Sequence, residues 1–447
     1  MDWSVNAILL GYGELWRHYR RMMNNWLNAR AVTQLRPIQE QQIQPLLRRL
    51  VRIEGDQNPF EKVKHALFYN SAASMLKLGY GYPLQGDNDP VFQDMQRNNE
   101  NAVLAEIFTN FLVNIFPSLI CLPDWFPGTG WKRTAREWRA LKERSQSVPC
   151  EWTKAQLGVG QAAGAPEPSI LSALLQNHKL VSELSEKDKE SRLKEVASMI
   201  VAAGTDTTSR VLIAFVAAMV LNPHVQEKAQ KELDNVIGPT LLPTMADRER
   251  LPYIRNLIQE VLRWQPVNTK GTLWIAISLY NHAANKRGHL YQALPMHAGR
   301  MTPMKDMISK REQSCKLSPE DAIEWAELKG LHLSRIGNFW AMIRDETIYK
   351  DSEIFNPDRY QDPNVPYAPA FGWGRRKCPG MHFAEASLFI IISSLLATFT
   401  FAKKADPDGK EKTPKIEGVS NAIIMELKPF DFELRLRPVA HRQLILE

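Results

Sequence analysis

The stretch Phe371-Gly372-Trp373-Gly374-Arg375-Arg376-Lys377-Cys378-Pro379-Gly380 stands directly before an apolar run that begins near Met381. Gly374 permits a tight turn, Gly380 removes a Cβ where the next helix starts, and one cysteine lies between them. A solitary cysteine is usually an inert buried filler. Here the helix N-terminus and the cations Arg375, Arg376 and Lys377 form a setting that favours the thiolate over the thiol. Such a sulfur can bind a metal whose other ligands are not protein side chains. Haem iron fits, because the porphyrin fills four positions and leaves an axial one for sulfur.

Around this stretch the chain reads as an ordinary globular protein. Of its 447 residues 44% are hydrophobic and 23% charged, values that exclude a disordered chain or a fibre. A net charge of +7 suits an acidic partner surface or anionic lipid and gives no reason to expect nucleic acid. Cys121, Cys150, Cys315 and Cys378 form no C-x-x-C pair, which argues against a disulfide scaffold or a zinc module. The longest apolar run, residues 386–401, falls short of the ~20 residues of a membrane span and reads as a buried core helix. The apolar part of the N-terminal segment is shorter still.

Periodicity predicts helices over residues 38–51, 59–78, 187–221 and 224–237, with strands only near 422–427 and 430–436. The fold class is therefore mainly α with a little β, in a single domain. Residues 158–168 and 406–415 read as solvated connections. Residues 104–126, rich in Phe108, Phe111, Phe116, Trp125 and Phe126 and poor in charge, read as core packing. The alternative for them is a cap over a lipophilic pocket or contact with a membrane surface.

Three further patterns carry chemistry. Ala202-Ala203-Gly204-Thr205-Asp206-Thr207-Thr208 lies inside the long helix, where glycine and β-branched residues are unfavourable. A local opening there would make room for a small ligand and set a hydroxyl beside a carboxylate for proton relay. Glu260-x-x-Arg263 is by itself an ordinary helical ion pair. Trp16-x-x-x-Arg20 puts two donors on one helix face.

In this order these motifs resemble the cytochrome P450 family. Phe371, Gly374, Arg376, Cys378 and Gly380 fill every defined position of its haem signature F-x-x-G-x-R-x-C-x-G. Residues 203–208 fill (A/G)-G-x-(D/E)-T-(T/S). Phe355-Asn356-Pro357-Asp358-Arg359-Tyr360 matches F-x-P-x-R-(F/Y). The resemblance runs from about residue 12 to residue 436. It implies the P450 fold, α-helical with small β-sheets, and haem with Cys378 as axial thiolate. Trp16, Arg20 and Arg376 would then serve the haem propionates, with Ala203, Gly204, Phe371, Gly374 and Gly380 lining the cofactor. Asp206 and Thr207 would pass protons, and Glu260, Arg263 and Arg359 would form a buried structural cluster.

The implied activity is insertion of one oxygen atom from O2 into a lipophilic small molecule, with electrons from NADPH through NADPH-cytochrome P450 reductase. The implied protein is a monomer at the endoplasmic reticulum membrane that binds no nucleic acid. Residues 122–128 and 12–21 resemble fungal microsomal P450s of secondary metabolism, so a terpenoid, polyketide or indole substrate is expected.

Two regions depart from the family. An N-terminal part with anchor, first strands and helices normally precedes W-x-x-x-R, whereas Trp16 is almost the first residue here. Residues 268–335 form an insertion far longer than the ~15 residues usual for a loop. His282, His289, His297 and His332 within it lack ligand spacing. Ser318-Pro319 reads as a helix start, with an end near Gly330. The expected origin of both departures is a gene-model fault, such as translated intron combined with an incomplete first exon, and the insertion is expected to be poorly ordered and cut first by proteases. The competing reading is an inactive remnant that binds haem weakly or not at all. An isomerase or dehydratase of the same fold is disfavoured by the presence of both Asp206 and Thr207.

Overall fold

The long helix Glu186–Leu221 is the axis around which the other elements pack. Ser185 caps it by accepting from the Asp188 amide, and Glu186 and Asp188 place negative charge in its first turn. From Val211 to Val220 every residue is buried, so this half is enclosed on all sides. Asn222-Pro223 ends it, with the proline at the first position of the next helix.

In the computed structural model, residue 8 and residues 10–107, 110–163, 169–176, 184–267, 339–406, 408–419 and 424–437 are described. The insertion at 268–335, its histidines and its helix start lie outside the described residues.

In chain order the helices are α1 (Glu14–Leu27), α2 (Ala29–Gln34), α3 (Arg36–Gln41), α4 (Ile43–Val51), α5 (Phe60–Tyr80), α6 (Pro90–Glu106) and α7 (Leu112–Ile115). They continue with α8 (Gly130–Ala163), α9 (Ile170–Gln176), α10 (Glu186–Leu221), α11 (Pro223–Val236), α12 (Pro252–Trp264), α13 (Phe339–Met342) and α14 (Met381–Thr398). The strands are β1 (Phe399–Ala402), β2 (Lys404–Ala405), β3 (Glu411–Lys412) and β4 (Glu433–Leu436). They form two antiparallel pairs, β1 with β4 and β2 with β3.

α5 lies close against α10, and two glycines make the approach possible. A Cβ on Gly79 would stand 2.5 Å from Val201 Cγ2, and one on Gly204 would stand 2.4 Å from Met75 Cε. Two helices, α10 and α14, are long and apolar enough to cross a membrane, yet their apolar windows are 67% and 78% buried within the fold. They are core helices here.

The structure corrects five sequence expectations. The apolar run at 386–401 does not stay helical: α14 stops at Thr398, and Phe399 begins β1, where Phe399 and Phe401 point inward. Pairing of Phe399 with Leu436 and of Ala402 with Glu433 supplies hydrogen bonds that a longer helix would lose. Of the expected strand at 422–427, residues 424–427 are described and hold bridge positions at Ile424 and Leu427, the latter paired with Gly418, and the second strand shortens to β4. Residues 158–163 continue α8 instead of forming a connection. Residues 406–415 contain β3, paired back onto β2.

The fifth correction concerns residues 104–126. They are not core: Leu112 is 64% exposed, Phe116 57% and Trp125 80%, with Leu104, Ile115, Ile120 and Phe126 also exposed. Phe111 stacks edge-on with an aromatic of another element, Trp138 on α8, at 5.6 Å.

Candidate active site

Cys378 is held by a short, glycine-shaped loop. Gly372 and Gly374 both adopt left-handed backbone (φ +69° and +60°), which side-chain-bearing residues resist. The loop closes when the Cys378 amide donates to the Phe371 carbonyl at 2.8 Å. A single 3-10 turn, Gly374–Arg376, intervenes, and α14 starts at Met381.

The sulfur faces open space. Solvent reaches Cys378, yet the surrounding protein is dense enough that burial pushes its thiol above the usual range. The Gly380 amide and the Arg20 charge oppose that shift without cancelling it. A Cβ on Gly380 would meet only the Cys378 sulfur, at 3.9 Å. The glycine thus keeps clear the space beside the sulfur.

Residues from opposite ends of the chain meet at this loop. Trp16 is buried on α1. The Arg376 guanidinium lies 4.7 Å from its ring centroid and that of Arg20 5.6 Å. Arg376 also donates to the Leu10 carbonyl at 2.7 Å. Burial and the Arg20 charge lower the Arg376 pKa to about 10, and burial lowers Arg20 as well. Two half-buried cations that repel each other beside a tryptophan fit a cofactor bearing carboxylates. Among the described residues no group of three or more His, Cys, Asp or Glu could hold a bare metal ion. The donor set at Cys378, one sulfur with neighbouring cations and open space, fits a metal carried by its own macrocycle, such as haem.

Sequence reasoning credited Arg375, Arg376 and Lys377 with stabilising the thiolate. In the structure burial dominates and raises the thiol, and the groups that act the other way are the Gly380 amide and the Arg20 charge, not those three cations. Arg375 instead lies 5.0 Å from the ring centroid of Tyr12, which itself stacks on Trp16 at 5.2 Å. Tyr12 was missed, although its spacing of four residues from Trp16 is a legible signal.

The expected opening in α10 is absent, for the helix runs unbroken through residues 203–208. Gly204 is explained by the close approach of Met75, a neighbour that no local pattern reveals. The Thr207 hydroxyl donates back to the Ala203 carbonyl at 2.7 Å, and the Asp206 carboxylate accepts from Arg210 Nε at 3.0 Å. Asp206 and Thr207 are both partly exposed, as is Ala203.

The structure brings Glu260, Arg263 and Arg359 together. Arg263 Nε and Nη2 each donate to Glu260 at 2.8 Å, and Arg359 Nε donates to Glu260 Oε1 at 3.1 Å. Arg263 also donates to the Ile343 and Ser352 carbonyls, at 2.9 and 2.7 Å, and Arg359 to Lys350. Glu260 and Arg263 are fully buried, a state that charges reach only when paired and hydrogen-bonded. The Asn356 amide, not singled out from sequence, also donates to Glu260.

The family model for cytochrome P450 matches residues 1–271 and 336–432. The chain belongs to the cytochrome P450 family. A P450 monooxygenase of Armillaria gallica is 30% identical, with the alignment covering 100% of this chain and 78% of that one. The multifunctional P450 monooxygenase af510 of Aspergillus fumigatus is also 30% identical, over 97% of this chain and 73% of its own. P450 monooxygenase CLM2 of Gibberella zeae is 29% identical, over 96% and 72%. Among solved structures, a zebrafish P450 with progesterone superposes with a TM-score of 0.66 at 20% identity, covering 97% of this chain and 85% of that one. The same P450 with abiraterone gives 0.63 at 20% identity, covering 95% and 82%. The mainly helical architecture with small sheets is the P450 fold, and this P450 is an oxidoreductase enzyme of the monooxygenase class.

Proposed function

We propose that this P450 is a haem-thiolate monooxygenase acting on a lipophilic small molecule, with Cys378 as the axial ligand. The observation that carries the reading is the meeting of the Cys378 sulfur, the open space beside Gly380, and the cations of Arg20 and Arg376. Bound haem would supply the oxygen-activating and electron-accepting chemistry. Trp16, Arg20 and Arg376 would hold its propionates, and the glycines of the loop leave room for its face.

In this reading Thr207 and Asp206 would handle protons. The Thr207 hydroxyl, now donating to Ala203, can rotate to offer its proton elsewhere, while Asp206 keeps a fixed carboxylate next to it. Electrons would come from NADPH through a P450 reductase. The fungal relatives and the sequence of residues 12–21 and 122–128 support a substrate of secondary metabolism, such as a terpenoid, polyketide or indole.

The exposed apolar surface around Leu112, Phe116 and Trp125 supports a peripheral contact with the endoplasmic reticulum membrane. An open groove beside Ile120 is lined by Lys132, Arg136 and Arg139 together with Asp124, which pairs with Lys132 and Arg136; the lining stays net positive and suits anionic headgroups there. A monomer is the working unit of this reading.

The test is the carbon monoxide difference spectrum of the reduced, haem-loaded protein, followed by turnover with NADPH and reductase. A thiolate-type band with reductase-dependent oxygenated product supports the proposal. Haem binding without any product from a panel of lipophilic substrates, or no thiolate-type band at all, overturns it in favour of a remnant.

A further inference from the structure

Two carboxylates share one guanidinium on the helix that carries Asp206 and Thr207. Arg210 stands one turn beyond Asp206 on α10, and its Nε donates to Asp206 Oδ2 at 3.0 Å. Its Nη1 reaches in another direction to Glu426 Oε2, also at 3.0 Å. The other oxygen of Glu426, Oε1, accepts from Lys64 Nζ on α5 at 2.6 Å. Three separate segments thus meet in a file of alternating charge: Lys64, Glu426, Arg210, Asp206.

A pair such as Asp206 and Arg210, four residues apart on a helix, is weak alone and leaves both side chains able to change rotamer. Glu426 changes that. Its backbone is pinned on both sides, since its carbonyl accepts from the Val419 amide and the Met425 amide donates to the Val267 carbonyl, each at 2.7 Å. The Asp206, Arg210 and Glu426 side chains are 17%, 15% and 28% exposed, so their pairing is less screened than at an open surface. Burial works against the charge on Glu426, yet Lys64 and Arg210 outweigh it and hold the carboxyl below its ordinary range. Asp206 Oδ1, by contrast, makes no hydrogen bond among the described residues.

We propose that Glu426 is a positioning residue for Asp206. Holding Arg210 from the far side, it anchors the Asp206 carboxylate by Oδ2 and leaves Oδ1 to exchange protons. Lys64 does the same for Glu426, one step further out. This rests on the reading of Asp206 as a proton-handling residue, and it adds two residues far from α10 in sequence that no P450 motif in this chain contains.

The experiment uses the full haem-loaded chain in four forms: unchanged, Glu426→Gln, Asp206→Asn and the double variant. Product formed per NADPH consumed should fall about two- to fivefold in Glu426→Gln, the range that losing a partly buried ion pair can shift a side-chain equilibrium. In the Asp206→Asn background, Glu426→Gln should change nothing further. An equal fall in both backgrounds overturns the proposal, because Glu426 would then act elsewhere. A second measurement needs no turnover. Denaturant midpoints of the same four forms should be non-additive, and additive once Arg210→Gln removes the bridge. Additivity with Arg210 intact overturns the proposal as well. If Asp206→Asn alone leaves the product ratio unchanged, the proton-handling role fails, and Glu426 has no catalytic group to position.

Discussion

The Arg376 guanidinium lies 4.7 Å from the ring centroid of Trp16, so the cysteine loop and the first helix are locked together across most of the length of the chain. The Leu10 carbonyl, which accepts from Arg376 at 2.7 Å, reinforces the link. Trp16 and Arg376, both proposed to hold the cofactor, are therefore joined by direct contact.

Cys378→Ala is expected to abolish the thiolate-type carbon monoxide spectrum and all oxygenation, since alanine offers iron no ligand. The loop itself should persist, because its closing bond joins the residue-378 amide to the Phe371 carbonyl. Difference spectroscopy checks the first point, and an unchanged denaturant midpoint of the haem-free chain checks the second.

Thr207→Ala should leave haem binding intact and lower product per NADPH, with the missing electrons appearing as hydrogen peroxide. Among the described residues the hydroxyl bonds the Ala203 carbonyl of its own helix alone, so its loss should cost little stability. Peroxide and product assays run together decide it: an unchanged ratio makes Thr207 an ordinary helix residue.

Glu260→Ala should be far more damaging to stability than to any surface property. It strands the buried Arg263 guanidinium and frees Arg359, a loss of about 3–5 kcal/mol for a broken buried pair. Chemical denaturation of the soluble fraction measures it, and a loss under 1 kcal/mol would contradict the buried geometry.

Replacing Leu112, Phe116 and Trp125 together by serine should weaken binding to vesicles containing anionic lipid at least tenfold, since burying even one such side chain contributes ~1.5 kcal/mol or more. Fold stability should hardly change, because all three side chains are exposed. Vesicle co-sedimentation and thermal melting separate the two effects.

Glu190 joins α10 to α8: it accepts from Lys154 at 2.8 Å and pairs with Lys194 at 3.1 Å. Those hydrogen bonds depress its pKa from 4.5 to about 2. A depressed folded pKa means the stabilisation is complete above the unfolded value and is lost as pH falls between the two. The stability difference between the native chain and Glu190→Gln should therefore be constant near neutral pH and shrink to nothing between about pH 4.5 and pH 2. Midpoints measured across that range test the sign.

Some of this was legible in the chain because it is local. The glycine, arginine and cysteine spacing of residues 371–380 dictates a turn and a presented sulfur within ten residues, and the charge-to-apolar change along 187–221 dictates a long capped helix that plunges into a core. The cluster of Glu260 with Arg263 begins as neighbours three residues apart. Nothing in that pair says it will be buried, though, and Arg359 joins it only through the folded path of the chain.

What the sequence alone determined was the class of chemistry, because cofactor ligation and helix formation depend on short spacings and on residue type. Tertiary structure alone decided four things: that the Arg20 charge acts on the sulfur, that Gly204 answers to Met75, that residues 399–402 turn into a strand, and that the apolar side chains of Leu112, Phe116 and Trp125 stay outside. Each depends on a partner tens to hundreds of residues away or, for the outer face, on the core having no room for it. Burial and pairing over such distances are properties of the packed chain, and no local pattern carries them.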